Sequence, residues 1–165
     1  MQKVILASQS PRRKQLLEWA EIEFEIIVSE TDESFPPDLS FEDAAIHIAR
    51  NKALAVIEKT HPVIPVIAAD TIVVCNGKII GKPIDRDEAI SILENLSGKD
   101  HRVITGVVIL TGNNEISFAD TTHVVFNELT KEQITFYVDK YKPYDKAGAY
   151  AIQEWIGVVG IKNIN

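Results

Sequence analysis

The chain has 165 residues, of which 45% are hydrophobic and 25% charged, and its formal net charge is −7. This composition is typical of one globular domain, and the acidic balance argues against a nucleic-acid polymer as ligand, because proteins that bind such polymers present a basic face. The single cysteine, Cys75, excludes an internal disulfide framework and favours a reducing compartment. No apolar run is long enough to span a membrane. We therefore expect a cytoplasmic protein that has no membrane partner.

Strands and helices alternate along the chain before a long hairpin, which predicts a mixed α/β fold. The predicted strands are 3–7, 24–28, 63–75, 102–111 and 115–126, and the predicted helices are 11–20, 41–60, 86–97 and 131–141. The dipeptide Asn76-Gly77 predicts a hairpin turn after the third strand. In the first helix, Leu16, Leu17 and Ala20 are expected to face the core. No linker divides the chain, so a single domain over residues 1–165 is expected.

Two arginines stand where the first predicted helix begins. Ser10 and Pro11 are typical of an N-cap and a first helical position, and they place Arg12 and Arg13 in the first turn. The helix dipole disfavours a cation there by roughly 0.3–1 kcal/mol. An anion bound at the helix N-terminus would offset that cost, so the pattern predicts an anion site. The alternative is two solvated arginines on a surface helix.

Four further charged residues are candidates for the same chemistry. Lys52 occupies a position of the apolar stripe on the second helix, and Asp70 interrupts an otherwise apolar strand. A carboxylate in that position needs a cation, hydrogen bonds or a metal, unless it caps a turn at a strand end. Lys82 lies in a stiff Gly-Lys-Pro loop, and Glu33 lies in an acidic loop closed by prolines. Taken singly, Lys52 is also explained as a snorkelling lysine, Lys82 as a turn lysine and Glu33 as a solvated charge.

Several short motifs along the chain together resemble those of the Maf family of nucleoside triphosphate pyrophosphatases. They are Ser8-Gln9-Ser10-Pro11-Arg12-Arg13, Ala68-Ala69-Asp70-Thr71, Gly81-Lys82-Pro83, Leu96-Ser97-Gly98, Thr105-Gly106 and Asp145-Lys146-Ala147-Gly148-Ala149-Tyr150-Ala151-Ile152-Gln153. The resemblance implies hydrolysis of a nucleoside triphosphate to the monophosphate and pyrophosphate with a divalent metal, Mg²⁺ or Mn²⁺. It also implies an elongated mixed sheet with flanking helices and a cleft between two lobes, similar to the fold of the inosine triphosphate pyrophosphatases.

The resemblance assigns roles to individual residues. The positions that bind the triphosphate match Ser8, Arg12, Arg13, Lys52 and Lys82, and Lys82 is also counted with the catalytic residues. Asp70 matches the proton acceptor and Glu33 a second acidic residue of the site, and these two carboxylates are the expected metal ligands. A triphosphate carries about four negative charges, so a set of cations suits phosphoryl transfer, which depends on positioning and charge neutralisation. Whether Asp70 acts as base or as metal ligand stays open, because both roles use the same carboxylate.

The positions that match Arg12, Thr71 and Gln153 divide the family by substrate. Their context here resembles the branch that prefers dTTP and UTP, with CTP or modified pyrimidine triphosphates as further substrates. A glutamine amide both donates and accepts, which suits the edge of uracil or thymine. One alternative is the branch that acts on 7-methylguanosine triphosphate. Another is a non-catalytic nucleotide-binding regulator linked to cell division.

The end of the chain departs from the family pattern. Family chains usually continue past Asn165 into a final helix, so we expect that a C-terminal segment is missing. The apolar run 155–161 is expected to need a packing partner. The oligomeric state is left open, with a homodimer among the expectations.

Overall fold

In a computed structural model, which describes residues 3–61 and 63–165, seven strands and five α-helices are found. The strands are β1 (Val4–Leu6), β2 (Phe24–Ile26), β3 (Val66–Cys75), β4 (Lys78–Ile80), β5 (Asp100–Thr111), β6 (Asn114–Phe126) and β7 (Ile161–Ile164). The helices are α1 (Pro11–Trp19), α2 (Phe41–Thr60), α3 (Arg86–Leu96), α4 (Lys131–Tyr141) and α5 (Trp155–Val159), and a short 3-10 turn covers Ala147–Ala149.

The strands form one mixed sheet in the order β2-β1-β3-β5-β6-β7, with β4 paired to β3. Strand β1 runs parallel to β2 and to β3, whereas the β3–β4 and β6–β7 pairs are antiparallel. The predicted hairpin turn is confirmed, because β3 ends at Cys75 and β4 begins at Lys78. The mixed α/β class predicted from the sequence is therefore confirmed.

The chain divides into two compact units. The first extends to Asp70 and includes Thr105–Asp120, and the second comprises Thr71–Ile104 and Thr121–Asn165. Each unit has its own cluster of buried apolar residues.

In the first unit, small residues of α2 pack closely against the sheet. Ala49, Ala53 and Val56 share a core with residues of β1, β3 and β5. A Cβ atom on Gly106 of β5 would lie 2.4 Å from the backbone carbonyl carbon of Ala45, which no side chain tolerates. Glycine at this position therefore allows the helix backbone to approach the strand, and this approach fixes the height of α2 over the sheet.

The first helix differs from expectation in two respects. The Ser10 side chain makes no capping hydrogen bond; instead the Ser10 backbone N–H donates to Ser8 Oγ at 3.3 Å. Leu16 is 59% exposed and Ala20 is exposed, so the prediction that they face the core is wrong. The physical reason is that α1 contributes no buried side chain, while the twenty-residue α2 supplies most of the helical residues in the core of this unit.

In the second unit, α3 and α4 pack on β6. The core includes Leu93 and Leu96 of α3, Phe126 of β6, and Ile134 and Tyr137 of α4. Side chains cap both helices at their N-terminal ends: the Asp85 side chain accepts from Glu88 N–H, and Thr130 and Gln133 form a reciprocal capping box.

The apolar run at the end of the chain finds its partners within the second unit. Ile156 of α5 is buried, and Trp155 packs edge-on against Phe136 with 5.0 Å between ring centroids. Beyond α5, β7 pairs with β6, and Ile161 lies opposite Phe126. The packing partner that the sequence requires is thus supplied by α4 and β6. No helix of the described residues combines the length and apolarity needed to cross a membrane.

Candidate active site

Three charged residues from three elements of the first unit meet at one point. The Nζ of Lys52, on α2, lies 2.6 Å from Oδ1 of Asp70 in β3 and 3.0 Å from Oε1 of Glu33. Glu33 belongs to the loop between β2 and α2. The Lys52 side chain is 19% exposed and that of Asp70 13%, whereas that of Glu33 is half exposed. The sequence-predicted candidates Lys52, Asp70 and Glu33 therefore form one cluster.

The strand context of Asp70 explains why this cluster forms. Ala68, Ala69 and Ile72 beside it are buried, so the Asp70 carboxylate stands in apolar surroundings. An unpaired carboxylate there would lose its hydration without compensation, and the Lys52 ammonium offsets that loss. The sequence predicts a cation, hydrogen bonds or a metal beside Asp70, and the partner found is the Lys52 ammonium, with Asp70 inside the strand and not at its end. A role in catalysis or metal binding stays a prediction.

Arg13 is hydrogen-bonded to the same strand, at the residue before Asp70. Its Nη1 donates to the Ala69 carbonyl oxygen at 2.8 Å and to Ser8 Oγ at 3.0 Å. Burial lowers the pKa of the Arg13 guanidinium; the negative charge of Asp70 opposes this, while Arg12 adds to it. An arginine nevertheless stays protonated in a protein, so Arg13 places a fixed positive charge beside Asp70.

Arg12 and Ser8 complete the candidates in the first unit. Ser8 is buried, and its hydroxyl oxygen accepts hydrogen bonds from the Ser10 backbone N–H and from Arg13 Nη1. Ser8 therefore links the turn between β1 and α1 to Arg13. Arg12 is exposed at the first turn of α1, where there is no acidic residue. The N-terminal end of α1 therefore presents an exposed guanidinium, that of Arg12, and a half-buried one, that of Arg13.

The other three predicted site residues lie in the second unit. Thr71 is half-buried in β3, Lys82 is exposed in the segment after β4, and Gln153 is exposed in a turn before α5. The segments that carry Lys82 and Gln153 are both bonded to one short stretch, 145–149. There Gly148 N–H donates to the Gly81 carbonyl at 3.1 Å.

Within that stretch, Lys146 and Gly148 have distinct structural roles. Lys146 Nζ lies 3.5 Å from Oε1 of Glu154, the residue after Gln153. Gly148 has a φ of +72°, and a Cβ there would meet the Val73 side chain at 3.0 Å. A left-handed, closely packed position of this kind favours glycine. The Asp-Lys-Ala-Gly motif thus contacts both segments: Gly148 bonds to the segment that carries Lys82, and Lys146 pairs with the turn that carries Gln153.

The sequence did not identify Tyr137 and Glu154 as residues that support the candidate site. Tyr137 follows the apolar spacing of α4, which indicates a core residue, and it is indeed fully buried. Its hydroxyl, however, donates to Glu154 Oε2 and accepts from the Ala151 backbone N–H. A tyrosine in place of phenylalanine on a buried stripe was the only sequence signal, because a buried hydroxyl requires a partner.

The carboxylates of Asp70 and Glu33 also bear on metal binding. Their oxygens converge on a single cationic nitrogen, and carboxylate oxygens are the ligands that Mg²⁺ prefers. Within the described ranges, no group of three or more His, Cys, Asp or Glu side chains suits a metal. Two carboxylates are nevertheless a usual complement for Mg²⁺ when substrate phosphates and water supply the remaining ligands. The donor set therefore fits a divalent cation that binds together with a phosphorylated substrate.

Comparison with known proteins gives consistent results. A family model described as Maf-like protein matches residues 3–165. The chain is 45% identical over 164 residues to a dTTP/UTP pyrophosphatase of Parabacteroides distasonis. This match covers 99% of this chain and 85% of that protein. It is 48% identical to a protein of the same name from Bacillus cereus, with the same coverage.

Two solved structures share the fold at low sequence identity. The Staphylococcus aureus Ham1 protein matches with a TM-score of 0.54 at 17% identity, over 95% of this chain and 90% of that one. A HAM1 protein from Coxiella burnetii matches with a TM-score of 0.52 at 18% identity, over 96% and 92% of the two chains.

Proposed function

Because the chain belongs to the Maf-like protein family, we propose that it is a nucleoside triphosphate pyrophosphatase that acts on dTTP and UTP. This chain covers 73–85% of the length of the relatives that bear this name, at 45–48% identity, which supports the assignment. The observation that carries the proposal is the convergence of Glu33 and Asp70 on Lys52, with Arg13 bound beside Asp70. This arrangement combines carboxylates that handle protons and metals with cations that bind phosphates.

In the proposed reaction, water attacks the α-phosphorus and a new P–O bond forms there. The bond from the α-phosphorus to the bridging oxygen breaks, so pyrophosphate leaves and the nucleoside monophosphate remains. Asp70 is proposed to accept the proton of the attacking water, which is the role of a general base. Lys52 Nζ lies 2.6 Å from Asp70 Oδ1, and this ion pair holds the carboxylate in place.

Four candidate cations are each proposed to bind the phosphates. In the first unit these are Arg12, Arg13 and Lys52, with the Ser8 hydroxyl orienting Arg13. In the second unit the proposed phosphate ligand is Lys82, which is exposed. Phosphoryl transfer depends mainly on neutralising and positioning charge, so the contacts of Arg13, Lys52 and Lys82 are expected to lower the barrier for every triphosphate alike. Arg12, whose position divides the family by substrate, is proposed to bear on substrate choice as well.

Asp70 and Glu33 are the proposed ligands of a divalent metal, because their oxygens already converge on one cation. Such an ion, when bound, neutralises charge on the phosphates and lowers the pKa of bound water. Lys52 Nζ lies between the two carboxylates, 3.0 Å from Glu33 Oε1 and 2.6 Å from Asp70 Oδ1. Phosphates that attract the Lys52 ammonium would release both carboxylates, so substrate and metal are expected to bind together.

Gln153 is proposed to contact the base. Its amide offers a donor and an acceptor, which match the adjacent carbonyl and N–H groups of uracil and thymine. A site that hydrogen-bonds a base edge rejects a base with the wrong pattern, because its polar groups then remain unpaired. CTP and modified pyrimidine triphosphates would be accepted to the extent that they preserve this pattern.

The test is a pyrophosphate-release assay over dTTP, UTP, CTP, dATP, GTP and 7-methyl-GTP, with Mg²⁺ or Mn²⁺. We expect one pyrophosphate per monophosphate and the highest kcat/KM for dTTP and UTP. A higher kcat/KM for 7-methyl-GTP would contradict the proposed substrate and favour the other branch of the family. Thermal stabilisation by triphosphates without pyrophosphate release would contradict catalysis and favour a binding regulator.

A further inference from the structure

The turn that carries Gln153 is attached at both ends to one buried hydroxyl. Tyr137 Oη accepts the backbone N–H of Ala151 at 3.2 Å and donates to Oε2 of Glu154. The turn itself closes through a hydrogen bond from Glu154 N–H to the Ala151 carbonyl at 3.1 Å. Gln153 lies between these two anchored residues and is exposed.

The packing of the Tyr137 ring does not require its hydroxyl. Tyr137 is fully buried, and its ring stacks on Tyr141 with 5.0 Å between centroids. A phenylalanine ring would occupy the same space and would lack only the polar contacts. The hydroxyl is therefore explained by the groups of the turn, the Ala151 N–H and the Glu154 carboxylate.

The second carboxylate oxygen of Glu154 is also bound. Oε1 lies 3.5 Å from Nζ of Lys146, whose side chain is mostly buried. The carboxylate therefore has a neutral donor on one oxygen and a cation on the other. Two restraints on one carboxylate limit the rotation of the residue that directly follows Gln153.

We propose that Tyr137, together with Glu154, positions Gln153 for base recognition, and so contributes to the choice of substrate without touching it. The inference rests on the proposed function, since it assumes that Gln153 contacts the base. Preorganisation of this kind matters for discrimination, because a glutamine on a mobile turn adapts its donor and acceptor to several bases. Loss of the hydroxyl should therefore weaken the preference for dTTP and UTP more than it weakens hydrolysis in general.

The experiment compares Tyr137→Phe with Tyr141→Phe, which removes a hydroxyl from the stacked neighbour on the same helix. For Tyr137→Phe we expect kcat/KM for dTTP and UTP to fall about fivefold, mainly through KM, while the value for GTP changes little. Tyr141→Phe should keep the wild-type profile. A second readout is hydrogen exchange of the Ala151 amide, which should accelerate in Tyr137→Phe and stay protected in Tyr141→Phe.

A second pair of variants approaches the turn from its other end and does not depend on the stability of the α4 core. Glu154→Ala should reproduce the weaker preference for dTTP and UTP, and Glu154→Gln, which still accepts from the Tyr137 hydroxyl, should restore most of it. An equal loss for all triphosphates in both Tyr137→Phe and Glu154→Ala, or an unchanged base profile, would overturn the positioning role. Unchanged protection of the Ala151 amide in Tyr137→Phe would overturn it as well.

The result separates this inference from the function on which it rests. If the wild-type protein prefers dTTP and UTP and Gln153→Glu abolishes that preference, the proposed function stands whatever Tyr137→Phe does. If the wild type shows no such preference, both the proposed substrate and the positioning role are wrong.

Discussion

The Lys52 ammonium and the Asp70 carboxylate are 2.6 Å apart, although the residues come from a helix and from a buried strand. The close approach of α2 to β5 at Gly106 sets the height from which the Lys52 side chain extends. Glu33 joins the pair at 3.0 Å from the same nitrogen. Two carboxylates thus share one ammonium, which lies at the position proposed for a divalent metal.

Asp70→Asn is expected to reduce kcat at least about 100-fold, because it removes the proposed general base while keeping the shape of the side chain. Triphosphate binding should persist or strengthen, because one negative charge facing a polyanion is lost. Steady-state kinetics and nucleotide titration check both parts. Asp38→Asn, an exposed change in the loop before α2, is the control. A kcat near that of the wild type would remove Asp70 from the mechanism.

Lys52→Met should increase the affinity of the nucleotide-free protein for Mn²⁺. The ammonium now neutralises both Asp70 and Glu33, and a methionine leaves the two carboxylates available. We expect a gain of roughly tenfold, equivalent to about 1.4 kcal/mol, measured by electron paramagnetic resonance of free Mn²⁺. Lys59→Met, farther along the same helix and exposed, should leave the affinity unchanged. Weaker Mn²⁺ binding in Lys52→Met would show that the two carboxylates do not form the metal site.

Arg13→Ala should lower kcat/KM for every triphosphate by a common factor of roughly 10 to 100, because a charge-assisted contact contributes about 1.5–3 kcal/mol and does not read the base. Arg13→Lys should rescue little of this loss, since one ammonium does not replace the planar donor group that Ala69 and Ser8 share. Lys14→Ala, on the same helix, is the control. A changed order of preference among the bases would contradict the phosphate role.

Lys82→Ala is expected to behave as Arg13→Ala does, with a uniform loss over all triphosphates. The exposure of Lys82 makes an effect on folding small, so the loss should appear without a change in melting temperature. Kinetics on dTTP and GTP side by side check this expectation. Loss confined to one base would place Lys82 near the base instead.

Gln153→Glu should depress kcat/KM for dTTP and UTP, because a carboxylate faces the carbonyl acceptors of those bases and repels them. The effect on GTP should be smaller, so the ratio of kcat/KM values is the measured quantity. Gln153 is exposed, and the fold should be unaffected. A variant with the wild-type ratio would show that another residue selects the base.

The buried His101 side chain is expected to make the free energy of unfolding depend on pH. Burial lowers the pKa of His101 from its usual 6.5 to about 4, and Nε2 lies 2.6 Å from the Tyr150 hydroxyl. In the unfolded chain the imidazole of this histidine is protonated below about pH 6.5, whereas in the folded chain it is protonated only below about pH 4. The contribution of His101 to the free energy of unfolding should therefore be fully present above pH 6.5. It should be lost as the pH decreases to 4, a loss on the order of 3 kcal/mol.

Denaturant unfolding at several pH values between 4 and 7 checks the role of His101. His101→Gln should flatten the dependence over that interval, while His123→Gln, an exposed change, should retain it. An equally steep dependence in His101→Gln would assign the effect to other groups.

The part of the site that the sequence revealed is the part in which a charge breaks an apolar pattern. Lys52 takes a place in the helical stripe between buried Ala49 and Val56, and Asp70 interrupts an apolar strand, so each indicates that a partner must exist. The side-chain caps at Asp85 and Thr130 are likewise local relationships, because in each the acceptor lies three residues before the N–H that it binds.

Contacts between residues that are distant along the chain could not be predicted from the sequence. The prediction that Leu16 and Ala20 face the core is wrong, because helical spacing shows which residues share a face but not whether another element covers that face. The contact of Tyr137 with Glu154 joins residues 17 apart, and the sequence cannot show where a buried hydroxyl finds its partners. Ser10 is the N-cap residue of α1 and Pro11 the first helical residue, as predicted, but the Ser10 side chain makes no capping hydrogen bond.

The anchored turn before α5 has a practical consequence for altering the enzyme's substrate range. Its backbone is held through Ala151 and Glu154, whereas the side chains of Ile152 and Gln153 between them are exposed. Combinatorial libraries at positions 152 and 153 should therefore yield mostly folded proteins with new base preferences. Libraries that include 151 or 154 should yield many variants in which the loop itself is lost.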